Sequence, residues 1–170
     1  MLKNTNKRKK QRSSFRLSAA RLAAIQALYE MDISTKKPDI ILQTFENKHW
    51  RAMTLRDPDN KPGDGGKARL PNPDINYLKE IVIGVDNQTK KYIEKIASVL
   101  DKDWTVERLD ILMRALLKSA TFEFVEKKEV PIVILLSEYS DLAHTFFDDK
   151  EAKFACSIIN QLAKKLRADT

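Results

Sequence analysis

The sequence predicts an all-α protein of about seven helices, and three observations predict it. Apolar residues recur at three- and four-residue steps through most of the chain. Four of the six prolines and three of the four glycines are concentrated in one stretch, LRDPDNKPGDGGKARLPNP. The one β-branched run, PIVILL, has no second strand to pair with, so it reads as helix.

The chain opens with a basic arm. Lys3, Lys7, Arg8, Lys9, Lys10, Arg12 and Arg16 precede residue 17, and no acidic residue occurs before Glu30. Of 31 basic residues these seven account for the whole net charge of +7, leaving 24 basic against 24 acidic from residue 17 onward. Residues 1–15 carry no apolar periodicity, so a flexible arm is expected. Charge piled at one end suits a polyanion partner, or only a solvated tail.

Helical patterning starts at Leu17. Leu17, Ala20, Ala24, Leu28 and Met31 form one stripe, with Leu22, Ile25 and Tyr29 beside it. A second helix is expected from about Asp39 to Trp50, with Ile40, Ile41 and Phe45 inward. A flexible loop then covers residues 57–72; its DG and GG pairs are no phosphate loop, since no strand precedes them and no GK[ST] follows. NPDINYLKEIVIGV resumes the helical pattern, with Asn72 as cap and Pro73 in the first turn. NQTKKYIEKIASVL follows, then TVERLDILMRALLKSATFEFVEKK. In the latter Leu109, Leu112, Met113, Leu116, Leu117, Ala120 and Phe124 form a stripe. Glu123 falls inside that stripe and therefore needs a hydrogen-bonding partner.

The last segment, DKEAKFACSIINQLAKKLR, has two faces. Phe154, Ala155, Ile158, Ile159, Leu162 and Leu166 share one; Lys150, Lys153, Ser157, Asn160, Lys164 and Arg167 share the other, which holds no acid. Phe154 stands at their border. This is either an ordinary solvated face with a core aromatic, or a ridge for phosphates whose edge ring stacks on an unpaired base.

Several function classes are disfavoured. The lone Cys156 forms no internal disulfide and has neither His49 nor His144 placed to activate it, so a structural thiol is expected. No metal cluster, catalytic nucleophile–base pair or cofactor loop stands out, so catalytic residues, metal and cofactors are all expected to be none. The apolar stretches are too short to span a bilayer and the basic start lacks the features of a secretory signal, so a cytoplasmic protein is expected, with no membrane partner.

RLAAIQALYEMDIS, EIVIGVDNQTKKYIEKI, WTVERLDILMRALLKSATFEF, VPIVILLSEYSDLAHTF and KFACSIINQLAKKLR occur in this order over residues 16–167. Together they resemble the transcription antitermination factor NusB family. The resemblance implies two packed three-helix-bundle lobes: an N-terminal lobe about 16–86 and a C-terminal lobe about 88–167, within a domain of residues 16–170. It implies binding to the boxA segment of ribosomal RNA transcripts, together with a ribosomal protein that doubles as NusE, in the RNA polymerase antitermination complex. It implies no catalysis.

Carried over by position, the resemblance and the basic arm place Arg8, Arg12, Arg16, Ser18, Arg21, Lys150, Lys153, Phe154 and Ser157 toward RNA. Tyr29, Glu107 and Met113 fall on the protein-partner surface. Three departures stand out: Leu17, Ser18 and Ala19 replace an arginine cluster, Ala155-Cys156-Ser157 replaces Val-Asn-Gly, and Met113 replaces a glutamate. The expected geometry is a continuous cationic track of the arm, Arg21, Lys150, Lys153 and Lys164. One other reading stays open, a helical protein-interaction module without direct RNA binding; an enzyme is disfavoured, since the sequence offers no cofactor-binding domain and no catalytic constellation.

Overall fold

The computed structural model describes residues 2–47 and 72–168, with side chains from residue 11 onward except Arg12 and Asn47. Among these residues the structure is all-α. The elements are α1 (Leu2–Ser34), α2 (Pro38–Asn47), α3 (Ile75–Asn87), α4 (Thr89–Ala97), α5 (Ile111–Glu126), α6 (Ile132–Phe146) and α7 (Asp149–Leu166), with a 3-10 turn at Val106–Arg108 before α5. The loop expected over 57–72 lies outside the described residues except for Asn72, as do residues 48–50 of the expected second helix.

Two boundaries differ from expectation. Residues 2–15, expected as a flexible arm, are helical, and α1 begins at Leu2 rather than Leu17. Lysine, arginine and glutamine are good helix formers, and no proline precedes Pro38, so nothing stops the helix from extending without an apolar stripe. In α3 the cap is Asp74 rather than Asn72: its Oδ1 accepts from the Tyr77 amide at 3.1 Å. The end of α1 turns on Thr35, whose φ of 54° is left-handed and whose amide donates to the Met31 carbonyl at 3.0 Å.

Alanine at 19, 20, 23, 24 and 27 lets α1 lie close to α3 and α5, and all five are fully buried. On α2, Ile41 and Phe45 face the core, whereas Ile40 is half exposed. The centre of the molecule is α5, which packs on α1, α3, α4, α6 and α7 and is buried almost all round from Ala115 to Phe124. Two of its buried polar groups are met: Lys118 pairs with Asp32 of α1 at 2.8 Å, and Thr121 donates to the Leu117 carbonyl at 2.7 Å. The backbone of α3 comes so close that a Cβ at Gly84 would lie 2.8 Å from Cζ of Phe122.

Arg167, expected on the polar face of α7, is buried instead. Its guanidinium closes the C-terminal end of α5, donating to the carbonyls of Phe124 (2.7 Å), Lys127 (2.7 Å) and Val130 (3.3 Å). The start of α7 is set by Asp148, which accepts from the Glu151 amide at 2.9 Å; Asp149 and Glu151 in its first turn and Lys164 and Lys165 in its last complement the helix dipole.

Candidate nucleic-acid interface

The expected site residues fall into three groups. On α1, Arg16 is exposed; Ser18 is half-buried, and its hydroxyl lies 2.9 Å from Glu138 Oε1 on α6. The side chains of Arg8 and Arg12 lie outside the described residues.

Arg21 is a correction. It is only 3% exposed, and its guanidinium is held by Glu123 (Nε to Oε2, 2.8 Å) and by Glu138 (Nη1 to Oε2, 3.1 Å). Its nitrogens also reach Tyr77 Oη at 3.2 Å. Glu123, fully buried as its place in the apolar stripe required, accepts further from the hydroxyls of Tyr77 and of Tyr139, the latter at 2.6 Å. Arg21 therefore joins α1 to α3, α5 and α6 and does not stand on the cationic surface.

Burial works against the Arg21 charge, but the hydrogen bonds and charge of Glu123 outweigh it and raise its pKa above the ordinary value. The phenols of Tyr77 and Tyr139 are pushed up, first by burial and then by the Glu123 charge.

On α7, Lys150, Lys153 and Ser157 are exposed together on one face, with Phe154 half-buried at its edge. The Phe154 ring meets Trp104, centroids 5.5 Å apart and planes inclined by 45°. Trp104 precedes the 3-10 turn, is 46% exposed, and carries the Arg108 guanidinium 5.8 Å from its ring centroid. Sequence reasoning passed over Trp104 and Arg108; their four-residue spacing in the polar stretch DKDWTVER was the available signal.

Between these two groups lies α6. Glu138 touches Ser18 of α1, and Ser140 touches Cys156 of α7, Oγ to Sγ 3.3 Å. Residues two apart on a helix are separated by about 200° around its axis. The exposed positions Val133, Ile134, Ser137, Asp141, His144 and Thr145 fill the outer arc between them. That arc has no lysine or arginine, and neither does the rest of α6. Among the described side chains the expected track is therefore not continuous: exposed Arg16 on α1 and exposed Lys150 and Lys153 on α7 are separated by a neutral-to-acidic face of α6.

On the expected protein-partner surface, Tyr29 and Glu107 are exposed. Hydrogen bonds from its own amide and from Thr105 lower the Glu107 pKa below the usual carboxylate value. Met113 is a correction: only 4% exposed in the first turn of α5, its thioether belongs to the core, as its apolar chemistry favours. Among the described residues no group of His, Cys, Asp and Glu could hold a metal ion, and no helix is long and apolar enough to cross a membrane.

A model of the NusB family matches residues 18–164. Proteins named Transcription antitermination protein NusB are similar along most of their length. The one from Rhizobium meliloti (strain 1021) is 35% identical over 152 residues, covering 89% of this chain and 88% of the relative. That from Sinorhizobium fredii (strain NBRC 101917 / NGR234) is 36% identical over 151 residues, covering 89% and 88%. Among solved structures, T. maritima NusB shares the fold with a TM-score of 0.65 at 21% identity, covering 87% of this chain and 90% of that one. A chain in the structure titled "Crystal Structure of a Plectonemic RNA Supercoil" superposes with a TM-score of 0.69 at 19% identity, covering 90% and 97%.

Proposed function

The chain belongs to the NusB family of transcription antitermination proteins, and from that premise we propose that it binds boxA-containing ribosomal RNA transcripts. It does so together with a ribosomal protein that doubles as NusE, inside the RNA polymerase antitermination complex. Its role is non-enzymatic: it holds RNA and protein partners.

The observation that carries the reading is the exposed cluster of Lys150, Lys153 and Ser157 around the edge ring of Phe154. Cations neutralise phosphates and release counterions, while a half-exposed ring offers a stacking surface to an unpaired base. The basic first half of α1 supplies a second phosphate-binding patch. The RNA then passes over α6, where Ser137, His144 and Thr145 provide hydrogen-bonding groups in place of charge. Tyr29 and Glu107 serve the ribosomal-protein contact, supported by the exposed Ile33 one turn beyond Tyr29.

Fluorescence anisotropy with a labelled boxA RNA, with and without the ribosomal protein, tests this. Binding that weakens linearly in log salt, and weakens sharply on deletion of residues 1–15, is expected. Salt-independent or undetectable binding in both arms eliminates it and leaves the module that contacts proteins alone, for which the exposed Tyr29, Ile33 and Ile40 are the supporting observation.

A further inference from the structure

We propose that Trp104 is an RNA-contacting residue, forming with Phe154 a two-ring ledge against which an unpaired base stacks. This rests on the RNA-binding reading and extends it to a segment outside α1 and α7.

The geometry supplies three arguments. Trp104 is 46% exposed on a turn held by its own amide, which donates to the Asp101 carbonyl at 2.9 Å, so the backbone that carries the indole is fixed while much of the ring faces solvent. It touches the ring of Phe154, the border residue between the cationic face of α7 and the core. Finally, the Arg108 guanidinium lies over the indole and is anchored by donation to the Asp103 carbonyl at 3.0 Å, which puts a fixed cation beside the rings.

The charges nearby favour stacking over phosphate gripping. Asp101 and Asp103 are exposed on the same turn and offset Lys102 and Arg108, so it offers a bare phosphate no net attraction, whereas Lys150 and Lys153 attract one. A strand whose backbone follows the α7 lysines directs its bases toward the rings. Aromatic stacking tolerates any base, so the ledge adds affinity more than sequence preference.

The chain has two tryptophans, Trp50 and Trp104, so Trp50→Phe leaves Trp104 as the sole indole emitter. A labelled single-stranded boxA RNA is titrated against this variant while tryptophan emission and RNA anisotropy are both recorded. Emission that quenches with the same midpoint as the anisotropy rise is expected. Trp104→Ala should weaken binding roughly 5- to 100-fold and Trp104→Phe much less. Neither changes the slope of log affinity against log salt, because no phosphate contact is lost.

Anisotropy that rises without quenching, or equal affinity for Trp104→Ala and wild type, overturns the proposal while leaving RNA binding intact. An absent anisotropy rise in wild type, both with and without the ribosomal protein, overturns both. Should Trp104→Ala lose helix content, the quenching result on the intact ring decides.

Discussion

Arg21 Nε lies 2.8 Å from Glu123 Oε2, a buried contact between residues 102 positions apart. It joins the first helix to the central one, and Tyr77, Glu138 and Tyr139 complete the cluster. Breaking one side leaves a buried charge alone. Arg21→Met and Glu123→Leu should each cost about 3–5 kcal/mol, with the double variant recovering a substantial part. Urea unfolding followed by circular dichroism checks this; additive losses would show that the two side chains act independently.

Lys150 and Lys153 are free of protein ion pairs among those described and face solvent. Replacing both with alanine should lower the log–log salt slope of RNA binding by about 1.4, if each serves one phosphate of a single strand. The melting transition should hardly move. An unchanged slope removes these lysines from the interface.

Three tyrosines have raised phenol pKa values: Tyr77 and Tyr139 through burial and Glu123, and Tyr92 through burial and Glu126. A folded pKa above the unfolded one gives stability that is full below the unfolded value and lost as pH rises through the folded value. Between those limits, above pH ~10, folding should weaken. Ultraviolet titration should show these three phenols ionising together with helix loss. Their ionisation in an intact fold counts against the burial argument.

Gly84→Ala brings a methyl against the Phe122 ring, which is itself held edge-on by Tyr92 at 6.1 Å between centroids. Helix propensity favours alanine by ~1 kcal/mol, but overpacking a held ring costs ~1–3 kcal/mol. A net loss of stability is expected, relieved by the added Phe122→Leu. A more stable single variant would mean that the ring moves freely.

Thr35 occupies the left-handed region with a β-branched side chain. Thr35→Gly should raise stability by up to ~1 kcal/mol in thermal melts, since the strain relieved exceeds the chain freedom added to the unfolded state. Destabilisation would show that the Thr35 hydroxyl, 2.7 Å from the Ser34 carbonyl, matters more than the strain.

The helices and the two faces of α7 were legible because period and burial coincide along a single segment. Glu123 was half legible: its angle announced a buried carboxylate, but only the fold could show that its partner is Arg21, which then left the cationic surface. Met113 was misplaced by correspondence with a glutamate position, although its own chemistry pointed inward. The onset of α1 was hidden because its first half has no apolar stripe to read. Trp104 carried only a faint local signal, its spacing from Arg108, and its contact with Phe154, like the cation-free face of α6, gains meaning only from neighbours distant in sequence.

The plug that Arg167 sets into the end of α5 has a consequence for an incomplete chain. The carbonyls of Phe124 and Lys127 are made some forty residues before the guanidinium that satisfies them. A chain that stops short of Arg167 leaves those carbonyls without their donor, and should be markedly easier for a protease to cut near the end of α5 than the full chain.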